Sequence, residues 1–277
     1  MPDMVTVPAA TLLRYATVTL YNSPYPAHDE GCAIDLYPGS GAPSPVAGEV
    51  VAVRTVRAPS KPYTAEHDHL IVIDTGERLA RLLHVDPDVE PGDGVEVGDD
   101  LGGAVRSGYF APWVDDHVHL GFRPYGANPH RASGSLPVEL DVEVEPVPWD
   151  GTGTVIERGG TYVVLDAPDH PAPGERFAGV AAAGGTLDGG LPHYDGGGLL
   201  GGNDGPVYLA GRRVGVARGR TVTWDDVEVR ANGVPVTGIS LAPSRDSLGV
   251  KLVSWDGPPA AIGERVEEIG RASCRER

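Results

Sequence analysis

The stretch DDHVHLGFRP, residues 115–124, sets two histidines one residue apart at the head of an apolar run. In a β-strand, residues i and i+2 point to the same face. If this stretch is a strand, the imidazoles of His117 and His119 look the same way. That pairing suits metal binding, or metal binding with proton handling beside it. The reading of the whole chain turns on whether the stretch is a strand and on what else the sequence brings to it.

The neighbouring sequence supports strands. EVVAVRTVRA (49–58), HLIVIDTG (69–76) and RLARLLHV (78–85) are short runs rich in Val, Ile and Leu. Turn signals separate them: YPGSGAPSP, DTGE, VEPGDG and EVGDD. Only 6% of the 277 residues are aromatic, whereas Gly (39) and Pro (26) abound, which favours short strands and tight turns over long helices. The expectation is an all-β protein. Its length suits two domains, and the proline-rich end of LPVELDVEVEPVPWDG (136–151) places them at 1–147 and 148–268.

The second domain again reads as strands, and ANG (231–233) is a hairpin signal. The run AAAGGTLDGGLPHYDGGGLLGGNDG (181–205) is so rich in glycine that it reads as a flexible loop or a set of tight turns. Its Asp188, Asp195 and Asp204 then read as solvated turn residues, and His170 and His193 as surface residues. Seven of the nine histidines precede Arg131, which assigns the chemistry to the first domain. The closing IGRASCRER (269–277) resembles a translated sequencing adapter, so Cys274 carries no weight. No disulfide framework follows from the two cysteines, Cys32 and Cys274.

The formal charge is −17, and the only lysines are Lys61 and Lys251. Such an acidic, lysine-poor surface stays hydrated in concentrated salt, which screens its self-repulsion; in this respect the chain resembles proteins of halophilic archaea. No basic stripe exists to neutralise phosphates, so nucleic acid is not an expected partner. No apolar run is long enough to span a membrane, and the N-terminus lacks the pattern of a signal peptide, so a cytoplasmic protein is expected.

Three stretches carry the candidate chemistry: AHDEGCAIDLYPGSGAPSPVAGEVVAV with His28, Cys32 and Asp35, RLARLLHVDP with His84, and DDHVHLGF with His117 and His119. Together with VEPGDGVEVGDDLG between the last two, and in this order, they resemble the LytM/lysostaphin-like zinc metallopeptidases, the M23 peptidase family. The resemblance spans roughly residues 25–125. It implies an M23-like (duplicated hybrid motif) β-sandwich or barrel, and a zinc-dependent hydrolase of peptide or amide bonds with a peptide as substrate. It further implies that His28, Asp35 and His119 bind Zn2+, and that His84 and His117 flank the open position as catalytic residues. The residue types fit: three His or carboxylate ligands leave one position for water, whose pKa the metal lowers, and a nearby imidazole can take the proton. Asp115 or Asp116 is placed to orient an imidazole or simply to be solvated.

The sequence also departs from the family pattern. Six residues separate His28 from Asp35, where the family has three, and Gly31 stands where the histidine is expected. Either the loop bulges so that His28 reaches, or the ligand is lost, or Cys32 replaces it. His67 and His69 form a competing pair, read as exposed. Two other functions remain open. One is a degenerate, non-catalytic binding or scaffold protein of the same fold. The other is a biotinyl/lipoyl-like carrier, for which Lys61 is the only nearby lysine.

Overall fold

The computed structural model describes residues 4–267 and the backbone of residues 271–272. The protein is all-β, with 44% of the described residues in strands and 3% in helices. Of the segment 269–277, only 271–272 falls within the described residues, as a short strand against Val227–Glu228; Cys274 lies outside them. Among the described residues no helix is long and apolar enough to cross a membrane.

The chain divides into two compact units. The first comprises Met1–Val18 and Pro26–Val142, the second Thr19–Tyr25 and Glu143–Arg277. The run LPVELDVEVEPVPWDG is thus shared. Val138–Leu140 pairs in parallel with Val5–Val7 in the first unit, while Val144–Val147 pairs in parallel with Phe177–Ala182 in the second. The pairing partner of the chain changes between Leu140 and Val144.

The first unit is organised by one sheet, in the order Thr17–Thr19, Ala33–Tyr37, Val118–Arg123, Leu79–Leu83, Asp68–Asp74, Gly48–Val56, Gly94–Val95. From Ala33–Tyr37 to the Gly94–Val95 edge every neighbouring pair is antiparallel. Period-2 alternation sorts the side chains onto its two faces. Ile34, Leu120, Leu82 and Ile71 lie opposite one another in one row across the sheet, each fully buried. One residue along, the next row puts Asp35 directly opposite His119, and His119 opposite Leu83. A one-residue slip would exchange these rows, driving the histidine and carboxylate into the hydrophobic layer, so burial of the apolar row locks the register of the polar one. Of the stretch that opened the reading, Val118–Arg123 is a strand with His117 just before its first residue, and its register places Asp35 across from His119.

In the second unit a long sheet runs from Gly205–Leu209 through Arg212–Arg218, Thr221–Trp224, Gly196–Leu200, Gly185–Leu191, Gly238–Leu241, Lys251–Val253, Tyr162–Leu165 and Gly153–Arg158 to Arg265–Val266. Its core includes Leu165, Leu187, Leu199, Val207, Ile239 and Leu252. The ANG hairpin forms as expected, with Asn232 and Gly233 both in the left-handed region at φ 48° and 80°.

The glycine-rich run overturns its reading as a loop. It is a buried hairpin of Gly185–Leu191 and Gly196–Leu200. The glycines are there because other groups occupy the space a side chain would take. A Cβ on Gly198 would lie 2.0 Å from the Tyr21 ring, and one on Gly197 2.3 Å from the Trp224 indole. Asp188, expected in a solvated turn, is fully buried. Its carboxylate accepts hydrogen bonds from the backbone N–H groups of Leu20 (2.7 Å) and Tyr21 (3.2 Å) and from the Thr19 hydroxyl. Asn22 adds a 2.7 Å bond from Nδ2 to the Ser240 hydroxyl. These bonds explain why Thr19–Tyr25 clusters with the second unit. His193 is half-buried with both ring nitrogens shielded from solvent, and that burial pushes its pKa down to about 4.

Candidate metal centre

The spacing between His28 and Asp35 is absorbed by a single helical turn, Pro26–Asp29. The backbone keeps winding beyond it: Glu30 N–H bonds to Pro26 O at 3.1 Å, Gly31 N–H to His28 O at 2.9 Å and Cys32 N–H to Ala27 O at 2.6 Å. Gly31 closes the coil with φ 62°, a conformation that costs glycine little. The coil returns the chain to the strand Ala33–Tyr37 with His28 buried over it. Cys32 takes no part in the cluster, and its thiol faces the Glu30 carbonyl at 3.6 Å.

His28, Asp35 and His119 converge. Each offers one ligand atom, and these atoms lie within 4.8 Å of one another. His28 Nε2 is 3.2 Å from His119 Nδ1 and 3.4 Å from Asp35 Oδ1, and His119 Nδ1 is 2.8 Å from the same oxygen. Tetrahedral zinc bound at about 2.0–2.1 Å sets neighbouring ligand atoms about 3.3 Å apart, close to this triangle. The donor set fits as well. Two imidazole nitrogens and one carboxylate oxygen converge, and with the imidazoles in their neutral, metal-binding form the set carries one negative charge for a divalent cation to balance.

The ionisation of the group favours ligation. Burial alone would raise the pKa of Asp35, but the adjacent His117 and His28, with hydrogen bonds from His117 and His119, outweigh it and hold the carboxyl well below its usual range. Burial pushes His119 down to about 4, against the opposing pull of Asp35. At neutral pH the carboxylate is therefore charged and His119 neutral, the forms that bind metal.

This has a consequence for the metal-free chain. Between about pH 6.5 and pH 4 an unfolded His119 takes up a proton that the folded one refuses, so the unfolded state binds more protons and stability falls as pH falls. The melting temperature measured in chelator is expected to drop through that window. His119→Gln should flatten the drop, and an equally steep profile in that variant would contradict it.

His84 and His117 stand beside the cluster. Their ring centroids are 5.2 Å apart, and that of His84 is 5.8 Å from that of His119. Phe110 stacks on His117 at 4.4 Å and meets the His84 ring edge-on at 4.7 Å. His117 Nε2 lies 3.4 Å from Asp35 Oδ2, while its Nδ1 donates to the backbone carbonyl of Asp115 at 2.9 Å. Asp115 thus orients the imidazole through its main chain, and the Asp116 carboxylate pairs with Arg106 at 3.3 Å.

The sequence reading passed over Asp68. It lies between His67, which is exposed, and His69, which pairs with Asp86 at 3.5 Å; neither histidine joins the cluster. Asp68 is fully buried and bonds to His84 Nδ1 at 2.6 Å. Alternation carried the signal: if 67 and 69 face outward, 68 faces in. Lys61, the carrier alternative's only candidate, donates to the Phe110 carbonyl at 2.7 Å and is not free at a hairpin tip.

Fold and site together describe a two-domain all-β protein with a His/Asp/His cluster of metal-ligating geometry in its first unit. The chain belongs to the family described as domain of unknown function (DUF8155): the N-terminal domain of that family matches residues 6–140 and its C-terminal domain residues 145–269. No curated protein matches the chain. Among solved structures it is similar to LytU, at 22% identity over 42% of this chain and 79% of that one, with a TM-score of 0.31. It is also similar to the catalytic domain of the antimicrobial peptidase lysostaphin from Staphylococcus simulans, at 20% identity over 44% and 90%, with a TM-score of 0.30. A solution structure of lysostaphin matches at 13% identity over 99% and 100%, with a TM-score of 0.28.

Proposed function

We propose that the first unit is a zinc-dependent metallopeptidase or amide hydrolase of the M23 type. His28, Asp35 and His119 hold the metal, and His84 and His117 handle protons at the scissile peptide bond. The convergence of His28, Asp35 and His119 carries this reading, because their three ligand atoms form a triangle of zinc-ligand dimensions. Zinc bound there supplies an acidified water and polarises the substrate carbonyl. The protein does the rest. Asp35 and the buried imidazoles provide a dry, negatively charged seat, and Phe110 shields two of the rings from water. His84 Nδ1 is engaged by Asp68, leaving Nε2 to accept a proton from the attacking water and return it to the leaving amine. His117, anchored at Nδ1 by the Asp115 carbonyl, turns Nε2 toward Asp35 Oδ2 at 3.4 Å, and when that nitrogen also carries a proton it can donate to developing negative charge.

The test is metal content and hydrolysis on the full chain. Elemental analysis is expected to find one zinc per chain, and pentaglycine is expected to be cut only by the zinc-loaded protein, with 1,10-phenanthroline abolishing the cleavage. Failure to retain stoichiometric zinc under any condition would overturn the metal site. Zinc without cleavage of any peptide would replace the enzyme with a metal-binding module.

A further inference from the structure

Resting on the assignment of His84 to proton transfer, we propose that Asp68 is a positioning residue which clamps His84 and sets its ring as the Nδ1–H tautomer. His84 is an unusual residue at an unusual place. It ends the strand Leu79–Leu83 with φ 72°, a left-handed conformation rare for residues with a side chain. One carboxylate holds it there at two points: Asp68 Oδ1 accepts from the His84 backbone N–H at 3.0 Å, and Oδ2 accepts from the ring Nδ1–H at 2.6 Å. The His84 carbonyl accepts from Val105 N–H at 2.9 Å, which fixes the backbone from the other side.

The carboxylate is itself immobilised. It is fully buried, Oδ1 also accepts from His69 N–H at 2.7 Å, and Oδ2 accepts from the Ser107 hydroxyl at 2.6 Å. Four donors, two of them from His84 and one each from His69 and Ser107, converge on one group that can only accept while ionised. An ionised acceptor 2.6 Å from Nδ1 requires that nitrogen to carry the proton. The Nε2 lone pair is then the one presented for chemistry. A histidine base oriented by a buried carboxylate loses much of its effect when the tautomer reverses. Because Asp68 holds backbone and ring together, it also determines where the ring stands.

Long-range 1H–15N spectra of the full-length, 15N-labelled protein test the clamp, with the His84 signals assigned by their loss in His84→Gln. The wild type is expected to show His84 with protonated Nδ1 and bare Nε2. Asp68→Asn preserves shape but offers an amide that can donate, so the ring is expected to shift toward the Nε2–H form. An unchanged tautomer in Asp68→Asn overturns the proposal, as does an Nε2–H ring in the wild type. On the peptide assay, Asp68→Asn is expected to lower kcat about a hundredfold or more, with KM and zinc content unchanged; unchanged kcat beside a switched tautomer overturns the catalytic role of the clamp. Ser107→Ala, which leaves the carboxylate in place, is expected to keep the tautomer and lower kcat by about tenfold. It serves as the second variant should Asp68→Asn not fold, and a wild-type kcat in Ser107→Ala then counts against the clamp. If the wild type cuts no peptide, the catalytic assignment of His84 fails, and the spectra still decide the clamp.

Discussion

Asp35→Ala is expected to strip zinc from the protein, lowering its affinity by roughly 10²–10³-fold. The magnitude follows from the donor set. Structural zinc sites bind with about 10–16 kcal/mol shared among four ligands, so each donor carries about 3–4 kcal/mol, and each 1.4 kcal/mol is tenfold. Asp35 is also the only anionic ligand, so its loss removes the charge that balances the cation as well as a donor. His119→Ala is expected to act similarly, because its Nδ1 is an apex of the same triangle. His117→Ala separates the roles. Its Nε2 faces the other carboxylate oxygen at 3.4 Å and stands outside the ligand set, so zinc should stay and hydrolysis should fall. Competition titration with a zinc-sensitive dye gives the affinities. Full zinc retention by Asp35→Ala would remove the metal centre as described.

Asp188→Ala is expected to destabilise the second unit by about 3–5 kcal/mol. The substitution leaves the N–H groups of Leu20 and Tyr21 and the Thr19 hydroxyl without their acceptor. A buried polar group left unsatisfied costs about 1–3 kcal/mol. Domains are stable by about 5–15 kcal/mol in total, so the loss is a large share. Asp188→Asn retains an acceptor oxygen and should lose less. Denaturant unfolding followed by tryptophan fluorescence reads the difference. A loss below about 1 kcal/mol in Asp188→Ala would show that the segment Thr19–Tyr25 is held by something other than this carboxylate.

The glycine-rich hairpin shows where sequence reading fails and why. Strings such as DGG and GGG have no periodicity of side chains, and isolated from their surroundings they read as flexible. They become strands because the Tyr21 and Trp224 rings press on the bare backbone. Tyr21 is separated from Gly198 by most of the chain, so no local window contains the cause. The same holds for Asp188. An aspartate among glycines looks solvated until three donors from the N-terminal region arrive around it.

The spacing of His28 from Asp35 was a local puzzle with a local answer. Gly31 permits a left-handed residue, and the coil from Pro26 to Cys32 takes up the extra length. The sequence contained the permissive glycine but left open whether His28, Cys32 or neither would reach.

By itself, the sequence determined the all-β class and the strand at 118–123, which carries His119 and starts directly after His117, because strand periodicity is written in adjacent residues. Through its resemblance to a known family it offered Asp35 and His119 as candidate ligands, with the third ligand left open between His28 and Cys32. Only the tertiary structure decided that Asp35 lies opposite His119, that a helical coil brings His28 to them and that Asp68 grips His84. Those relations depend on strand register and on contacts between segments far apart in the chain. They are fixed when the apolar row through Leu120 is buried, a cooperative event that no short stretch encodes.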